Sequence, residues 1–193
     1  MSLRHFTFMD LFKRNARLYP QAPALISEQT TMNYEDLFQE SCALQAGLMH
    51  NGFQAGERLA VLARNSYHFF PLFAAVGALG GILVLINRRL SHQEIQEILT
   101  DTSPRMLVTD EEAARFTPEL IQDCLNLRSH IAIGGGGHQS YHDLLHLGPV
   151  DPPPLEEPLL QICRDDPFAI IHTAAVQGKP RGAVLSQENL LLS

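Results

Sequence analysis

Cysteine is scarce in this chain, basic residues never cluster, and no CxxC pair occurs. The three cysteines, Cys42, Cys124 and Cys163, are odd in number and widely spaced. That argues against a disulfide framework or a thiolate metal site and fits reduced thiols in a cytoplasmic protein. The formal charge is -7 and no basic run accompanies it. Nucleic acid is therefore not expected as a partner, because such binding rests on clustered Lys and Arg facing phosphates. No secretory leader is recognisable, since residues 4–19 alternate charged with apolar side chains and lack a continuous hydrophobic core.

Long apolar runs are also missing, with one exception. Residues 69–86 carry no charge and reach the roughly 18-residue length of a membrane span. Pro71, Gly77, Gly80 and Gly81 interrupt that stretch. A buried helix, a glycine turn and a buried strand explain it better, because β-branched and aliphatic residues after a Gly-Gly break favour a parallel core strand. No transmembrane segment is expected.

What remains is a composition suited to a globular fold: 193 residues, 45% hydrophobic and 18% charged, enough to bury a sizeable core. Apolar residues at near-helical spacing predict a helix over 6–18, with Thr7 as its cap. Residues 24–27 and 30–33 flank a polar turn and read as a small hairpin. Asn33 is placed to cap a helix over 34–51, closed by Gly52.

Strand candidates at 57–63, 82–86 and 105–109 alternate with helices over 66–79 and 91–100. That alternation predicts an α/β fold, with a largely parallel sheet flanked by helices and joined by right-handed crossovers. Further on, 118–125 reads as a helix, 130–133 as a strand, and the four glycines 134–137 as a mobile connection. His138, His142 and His146 recur every fourth residue around a helix over 140–147. A solvated helix face is the plainer reading, because Asp143 lies off the stripe and no fourth ligand is evident; zinc is the alternative, and no metal ligand is assigned.

Residues 151–158 (DPPPLEEP) read as a stiff, extended linker. The expected organisation is an amino-terminal α/β subdomain over 1–150, this linker, and the start of a second subdomain over 159–193. The second part carries the most informative stretch. An apolar run over 168–171 leads into a loop with Gly178, Lys179, Pro180, Arg181 and Gly182, then a return strand over 182–185 and a helix start capped by Ser186. Small residues let backbone N–H groups approach phosphate oxygens while Lys or Arg neutralises charge, so this is the layout of an anion-binding loop. It is not a Walker A loop, because Lys179 is followed by Pro180 rather than by Ser or Thr.

This segment resembles the phosphate-binding signature of the adenylate-forming enzymes, whose usual form is roughly YTSGTTGKPKGV followed by SHxNL. The matching positions are His172, Thr173, Gly178, Lys179, Pro180, Arg181, Gly182, Leu185, Ser186, Asn189 and Leu190. Where that family has Ser-Gly-Thr-Thr, this chain has Ala174, Ala175, Val176 and Gln177. The hydroxyls that would wrap the phosphates are gone while the basic half is kept. Upstream, Tyr34 to Leu37, Arg64-Asn65-Ser66 and Asn87-Arg88-Arg89-Leu90 follow in an order similar to the amino-terminal part of the large domain of acyl-CoA synthetases.

The resemblance implies that the parent protein uses ATP and Mg to activate a carboxylic acid as an acyl-adenylate and passes it to coenzyme A. Within that reading Lys179 and Arg181 supply charge to the phosphates, Thr173 is the one hydroxyl left, and Gly178 and Gly182 permit close backbone approach. Taken alone, the same residues are equally a strand-end hydroxyl, solvated charges and turn-forming glycines. The family's adenine motif, magnesium-binding acidic residue and mobile carboxy-terminal domain lie downstream of this loop, so the chain reads as an amino-terminal fragment inactive by itself. Two alternatives stay open: a divergent relative that binds nucleotide or acyl group without turnover, and an interaction domain that self-associates through an exposed sheet edge.

Overall fold

The computed structural model describes residues 6–27, 30–115, 117–122, 124–134, 139–147, 162–173 and 181–192. Helix α1 (Phe8–Leu18) opens with a capping box in which the Thr7 side chain accepts from the Asp10 amide and Asp10 reaches back to the Thr7 amide, satisfying donors the helix leaves free. Strands β1 (Pro23–Ile26) and β2 (Thr31–Asn33) form an antiparallel hairpin. Asn33 then caps α2 (Tyr34–His50).

Next come β3 (Arg58–Leu62), α3 (Phe69–Ala78), β4 (Ile82–Leu85), α4 (His92–Thr102) and β5 (Met106–Asp110). The short helices α5 (Glu111–Ala114) and α6 (Thr117–Leu120) lead to β6 (Ser129–Ile133), β7 (Gln139–Ser140) and α7 (Tyr141–His146). Strands β8 (Pro167–Thr173) and β9 (Arg181–Ser186) and helix α8 (Gln187–Leu191) follow.

Among the described residues seven strands make one sheet in the order β7-β6-β5-β3-β4-β8-β9. All its pairings are parallel except β8 with β9, which is antiparallel. The strands therefore added after residue 162 extend the sheet that the earlier strands begin. The uncharged stretch 69–86 resolves as expected into α3, a turn with Gly80 at φ +66°, and β4. Among the described residues no helix is long and apolar enough to cross a membrane.

Alternation along the central strand sorts side chains between two layers. Leu59 and Val61 of β3 pack with Leu44, Leu48, Leu72 and Val76 of α2 and α3. Ala60 and Leu62 pack with Ile95, Ile98 and Leu99 of α4 and Leu120 of α6. Both faces are covered, which is why the strands read as near-continuous apolar runs rather than alternating ones. Each fully buried Leu here is worth about 1.5–3 kcal/mol relative to leaving it in water. Helix α1 sits outside α2 and α3 through Met9, Phe12, Leu37 and Ala74.

Polar ties fix the ends of these elements. The Arg58 guanidinium donates to the last carbonyls of α4, at 2.7 Å to Thr102 and 3.0 Å to Ser103, where Ser103 adopts the left-handed conformation that closes the helix. The buried Gln187 of α8 accepts from the Phe8 amide at 3.1 Å and donates to the Gly77 carbonyl at 3.3 Å. It thereby joins the last helix to the first turn of α1 and to α3.

Two sequence expectations are corrected. Helix α3 begins at Phe69, three residues later than residue 66, because the Ser66 hydroxyl pairs with His68 Nδ1 at 3.1 Å instead of capping a backbone amide. The helix expected over 118–125 ends at Leu120, and the chain continues in tight turns, with the Cys124 amide bonded to the Ile121 carbonyl at 3.0 Å. The expected mobility of 135–137 and the stiff linker 151–158 fall outside the described residues, as does His138.

Beside α3, a cluster of titratable groups is half-buried around the buried Tyr141. Tyr141 donates its hydroxyl to Glu40 at 2.8 Å, and the His68 ring stacks on Tyr67 and meets the edge of the Tyr141 ring. Burial pushes the Glu40 carboxyl up, with the Tyr141 hydrogen bond opposing it, and pushes His68 down to about 4. A histidine kept neutral in the fold contributes stability that is full above its unfolded value of about 6.5 and is lost as pH falls towards 4. Glu40 acts with opposite sign. The difference in urea midpoint between the parent chain and H68Q should therefore shrink steadily from pH 7 to pH 4, and a pH-independent difference would refute this assignment.

A second prediction comes from α2. A Cβ on Gly47 would lie 2.1 Å from the Leu144 carbonyl oxygen of α7, a backbone atom that cannot swing aside. Ala is the better helix former by about 1 kcal/mol, yet Gly47→Ala should destabilise the fold by about 1–3 kcal/mol in urea denaturation, because overpacking forces the two helices apart.

Candidate functional site

Strand β8 reaches its place through its aliphatic and aromatic side chains. Phe168 is buried between Phe8 of α1 and Phe73 of α3, with ring centroids 5.4 Å and 6.0 Å away. Ala169, Ile170 and Ile171 pair in parallel with Leu83, Val84 and Leu85 of β4. This pairing aims the carboxyl end of β8 the same way as the carboxyl ends of β3 and β4. In doubly wound sheets, ligands bind in the crevice outside those ends.

On the other side β8 pairs with β9. His172 stands opposite Gly182 and Thr173 opposite Arg181. Two of the predicted phosphate-binding residues, Thr173 and Arg181, are thus backbone partners in the last rung of the hairpin. Gly178 and Lys179, with the rest of 174–180, fall outside the described residues. Arg181 is exposed and makes no ion pair with a described residue.

Gly182 has a packing reason to be glycine. A Cβ there would come within 2.7 Å of Ile170 Cγ2 and 2.9 Å of His172 Nε2, so the cross-strand side chains already fill that space. This close approach lets β9 pair with the end of β8 as far as Arg181.

A cavity of about 940 Å³ opens where β3, β4 and β8 end, bordered by Arg64, Asn87, Arg88, Arg89, Phe69 and His172. The arginines were not among the residues singled out from sequence as phosphate ligands; their strands' order and their position just after strand ends are the signal that marks them. Arg64 and Arg88 share one acceptor, the Glu112 carboxylate of α5, with Arg88 at 2.8 Å. Those hydrogen bonds, Arg88 first and then Arg64, hold Glu112 below the usual carboxylate range. Arg89 has no ion-pair partner among the described residues, while its amide donates to the Asn87 side chain at 3.0 Å.

The backbone of this corner is fixed as well. Asp110, at the end of β5, caps α5 by accepting from the Ala113 amide at 2.8 Å and accepts from the Arg64 amide at 2.8 Å with its other oxygen. One carboxylate thus sets the exit of β3 against the exit of β5.

His172 borders this cavity and a second one beside α4. Both its ring nitrogens are shielded from solvent without a hydrogen-bond partner among the described residues. Burial lowers its proton affinity, with Asp101 opposing. The arrangement presents guanidinium groups to a crevice at the carboxyl ends of parallel strands, which suits an anionic ligand. Among the described residues no group of three or more His, Cys, Asp or Glu side chains could hold a metal ion.

Known proteins share this arrangement of elements. Residues 12–193 match the family described as AMP-binding enzyme. A fatty acid–[acyl-carrier-protein] ligase, ScoC, of Streptomyces coeruleorubidus is 28% identical over 183 residues, covering 95% of this chain and 33% of the relative. A long-chain-fatty-acid–CoA ligase, FadD15, of Mycobacterium bovis is 30% identical over 151 residues, covering 77% of this chain and 25% of the relative.

Among solved structures, one assigned as a long-chain-fatty-acid CoA ligase from Rhodopseudomonas palustris superposes with a TM-score of 0.86 at 32% identity, over 99% of this chain and 47% of that one. The chain spans about a third or less of the length of these curated relatives. With the family match running across nearly every element from α1 to α8, and the sheet and hairpin laid out as in a solved ligase, the chain belongs to the AMP-binding enzyme family.

Proposed function

We propose that this chain contributes the phosphate-holding corner of an ATP-dependent acid–thiol ligase, in which segment 173–182 grips the β and γ phosphates of ATP. The observation that supports it best is the β8–β9 hairpin, which sets Thr173 against Arg181 at the carboxyl end of a parallel strand, next to the cavity bordered by Arg64, Arg88 and Arg89.

In this reading a carboxylate oxygen of the acid attacks the α-phosphorus of ATP. The bond to the bridging oxygen of the β-phosphate breaks, and pyrophosphate leaves with the electron pair. A thiol, of coenzyme A or of a carrier protein, then attacks the acyl carbon and AMP departs. The relatives named above act on fatty acids, and a fatty acid is the proposed acid here.

The residues of this chain hold and orient rather than react. Lys179 and Arg181 neutralise the charge that gathers on the leaving pyrophosphate, which lowers the barrier through electrostatics and positioning. Arg181 offers two parallel N–H donors to a phosphate where Lys would offer a point charge. Gly182 lets the return strand pair closely with β8 beside Ile170 and His172, and its backbone is the part that would approach a phosphate. Magnesium would screen the phosphates when bound, and no described residue is assigned as its ligand.

The replacement of the usual hydroxyls by Ala174, Ala175, Val176 and Gln177 favours a second reading, a relative that binds nucleotide without turnover. Pyrophosphate release separates the two. The natural polypeptide that carries this chain, given ATP, magnesium and a panel of fatty acids, should release pyrophosphate, and the 193-residue chain alone should release none. Lys179→Ala and Arg181→Ala should each slow release by about a hundredfold, the loss seen when a donor to a developing charge is removed. Silence across the panel with ATP still bound would select the second reading; unchanged ATP affinity and turnover in both variants would remove segment 173–182 from the site.

A further inference from the structure

We infer that His142 and His146, on the outer face of α7, form a chelating site for a late first-row divalent cation such as Zn(II) or Cu(II). Both side chains are exposed, one helical turn apart, and their Nε2 atoms lie 3.2 Å from each other. The rings are inclined at 64° with centroids 4.4 Å apart. That contact is a hydrogen bond between the two rings, and its length falls in the range that a bound ion would set. Two imidazoles bound at 2.0–2.1 Å are roughly 3.3–3.4 Å apart around a tetrahedral ion and about 2.9 Å apart at neighbouring corners of a square-planar one. The pair already stands between the two values.

The support beneath the pair is rigid, which is what separates it from two histidines that happen to share a helix face. Tyr141 is buried and donates to Glu40 of α2, and Leu144 is fully buried against the close approach of Gly47. The Ser140–Asp143 capping box holds the first turn. Asp143 is spent in that box, accepting from the Ser140 amide at 3.2 Å, so the carboxylate between the two histidines caps the helix rather than binding metal. Helix α7 therefore projects both imidazoles into water from a fixed frame, and little conformational freedom is lost when a cation bridges them. Imidazole nitrogen suits Zn(II), Ni(II) and Cu(II) far better than Mg(II) or Ca(II), which take oxygen ligands. The remaining coordination positions face solvent and are open to water or to a ligand from outside. This site lies on the helical layer of α2 and α7, apart from the crevice at the ends of β3, β4 and β8, so it stands or falls independently of the proposed ligase role.

Titration of the 193-residue chain with Cu(II), followed by electron paramagnetic resonance, tests the site. The first equivalent should show coupling to two imidazole nitrogens. H142Q and H146Q, both at exposed positions, should each weaken that first equivalent roughly tenfold or more, because the second contact is lost as an intramolecular one, whereas H50Q on α2 should leave it unchanged. Zn(II) should likewise raise the urea midpoint of the parent chain and of H50Q but not of H142Q or H146Q. Coupling to a single imidazole, or a first equivalent bound as tightly by both single variants as by the parent, would overturn the assignment.

Discussion

The parallel pairing of β8 with β4 is the constraint on which the rest of this structure hangs. Three backbone rungs, Leu83 with Ala169, Val84 with Ile170 and Leu85 with Ile171, fix the direction in which β8 leaves the core. Since side chains alternate strictly along a strand, a slip of one residue would turn Phe168 away from Phe8 and Phe73 and send Ile170 into the wrong layer. The register is therefore held by aromatic packing on one face and by the helix α4 layer on the other. Once it is held, the end of the hairpin has only one place to be, beside the exits of β3 and β4.

Charge at that place is arranged with economy. Glu112 serves both Arg64 and Arg88, and Asp110 serves both an amide of α5 and the amide of Arg64. The positive groups outnumber the acceptors they meet, so the crevice keeps a cationic lean in a protein whose net charge is -7. A small anion is drawn by such a local excess, while an extended polyanion would meet mostly negative surface. The pull on a small anion here depends on where a few arginines sit, not on the overall balance.

Much of this was legible in the sequence because local rules and the fold agree. Apolar runs bounded by glycine and capping residues marked β3, β4 and β5 and the helices between them, and Thr7, Asn33 and Ser186 cap where their side chains said they would. The start of α3 was misplaced because Ser66 found a side-chain partner in His68, a choice that no residue pattern reveals. Helix α6 is shorter than its composition suggests, since the turns after Leu120 satisfy the backbone another way. Strand β7, at two residues, is too brief to leave a periodic trace. The order of strands was not legible at all: that β8 joins β4 depends on contacts across some eighty positions of chain. For the same reason Arg64, Arg88 and Arg89, though quoted in the family resemblance, could not be seen to surround one cavity with His172.

The bridge made by Gln187 has a temporal side. Its side chain completes the hydrogen bonding of Phe8, a residue 179 positions earlier, and does so at a half-buried position, where an unmatched amide is costly. On a chain made from its amino end, the first turn of α1 must wait for α8 before that donor is satisfied. Contacts of such span close late and slowly, because the intervening loop entropy has to be overcome first. Helix α1, made well before α8, is therefore locked only when these two distant parts of the described chain have met.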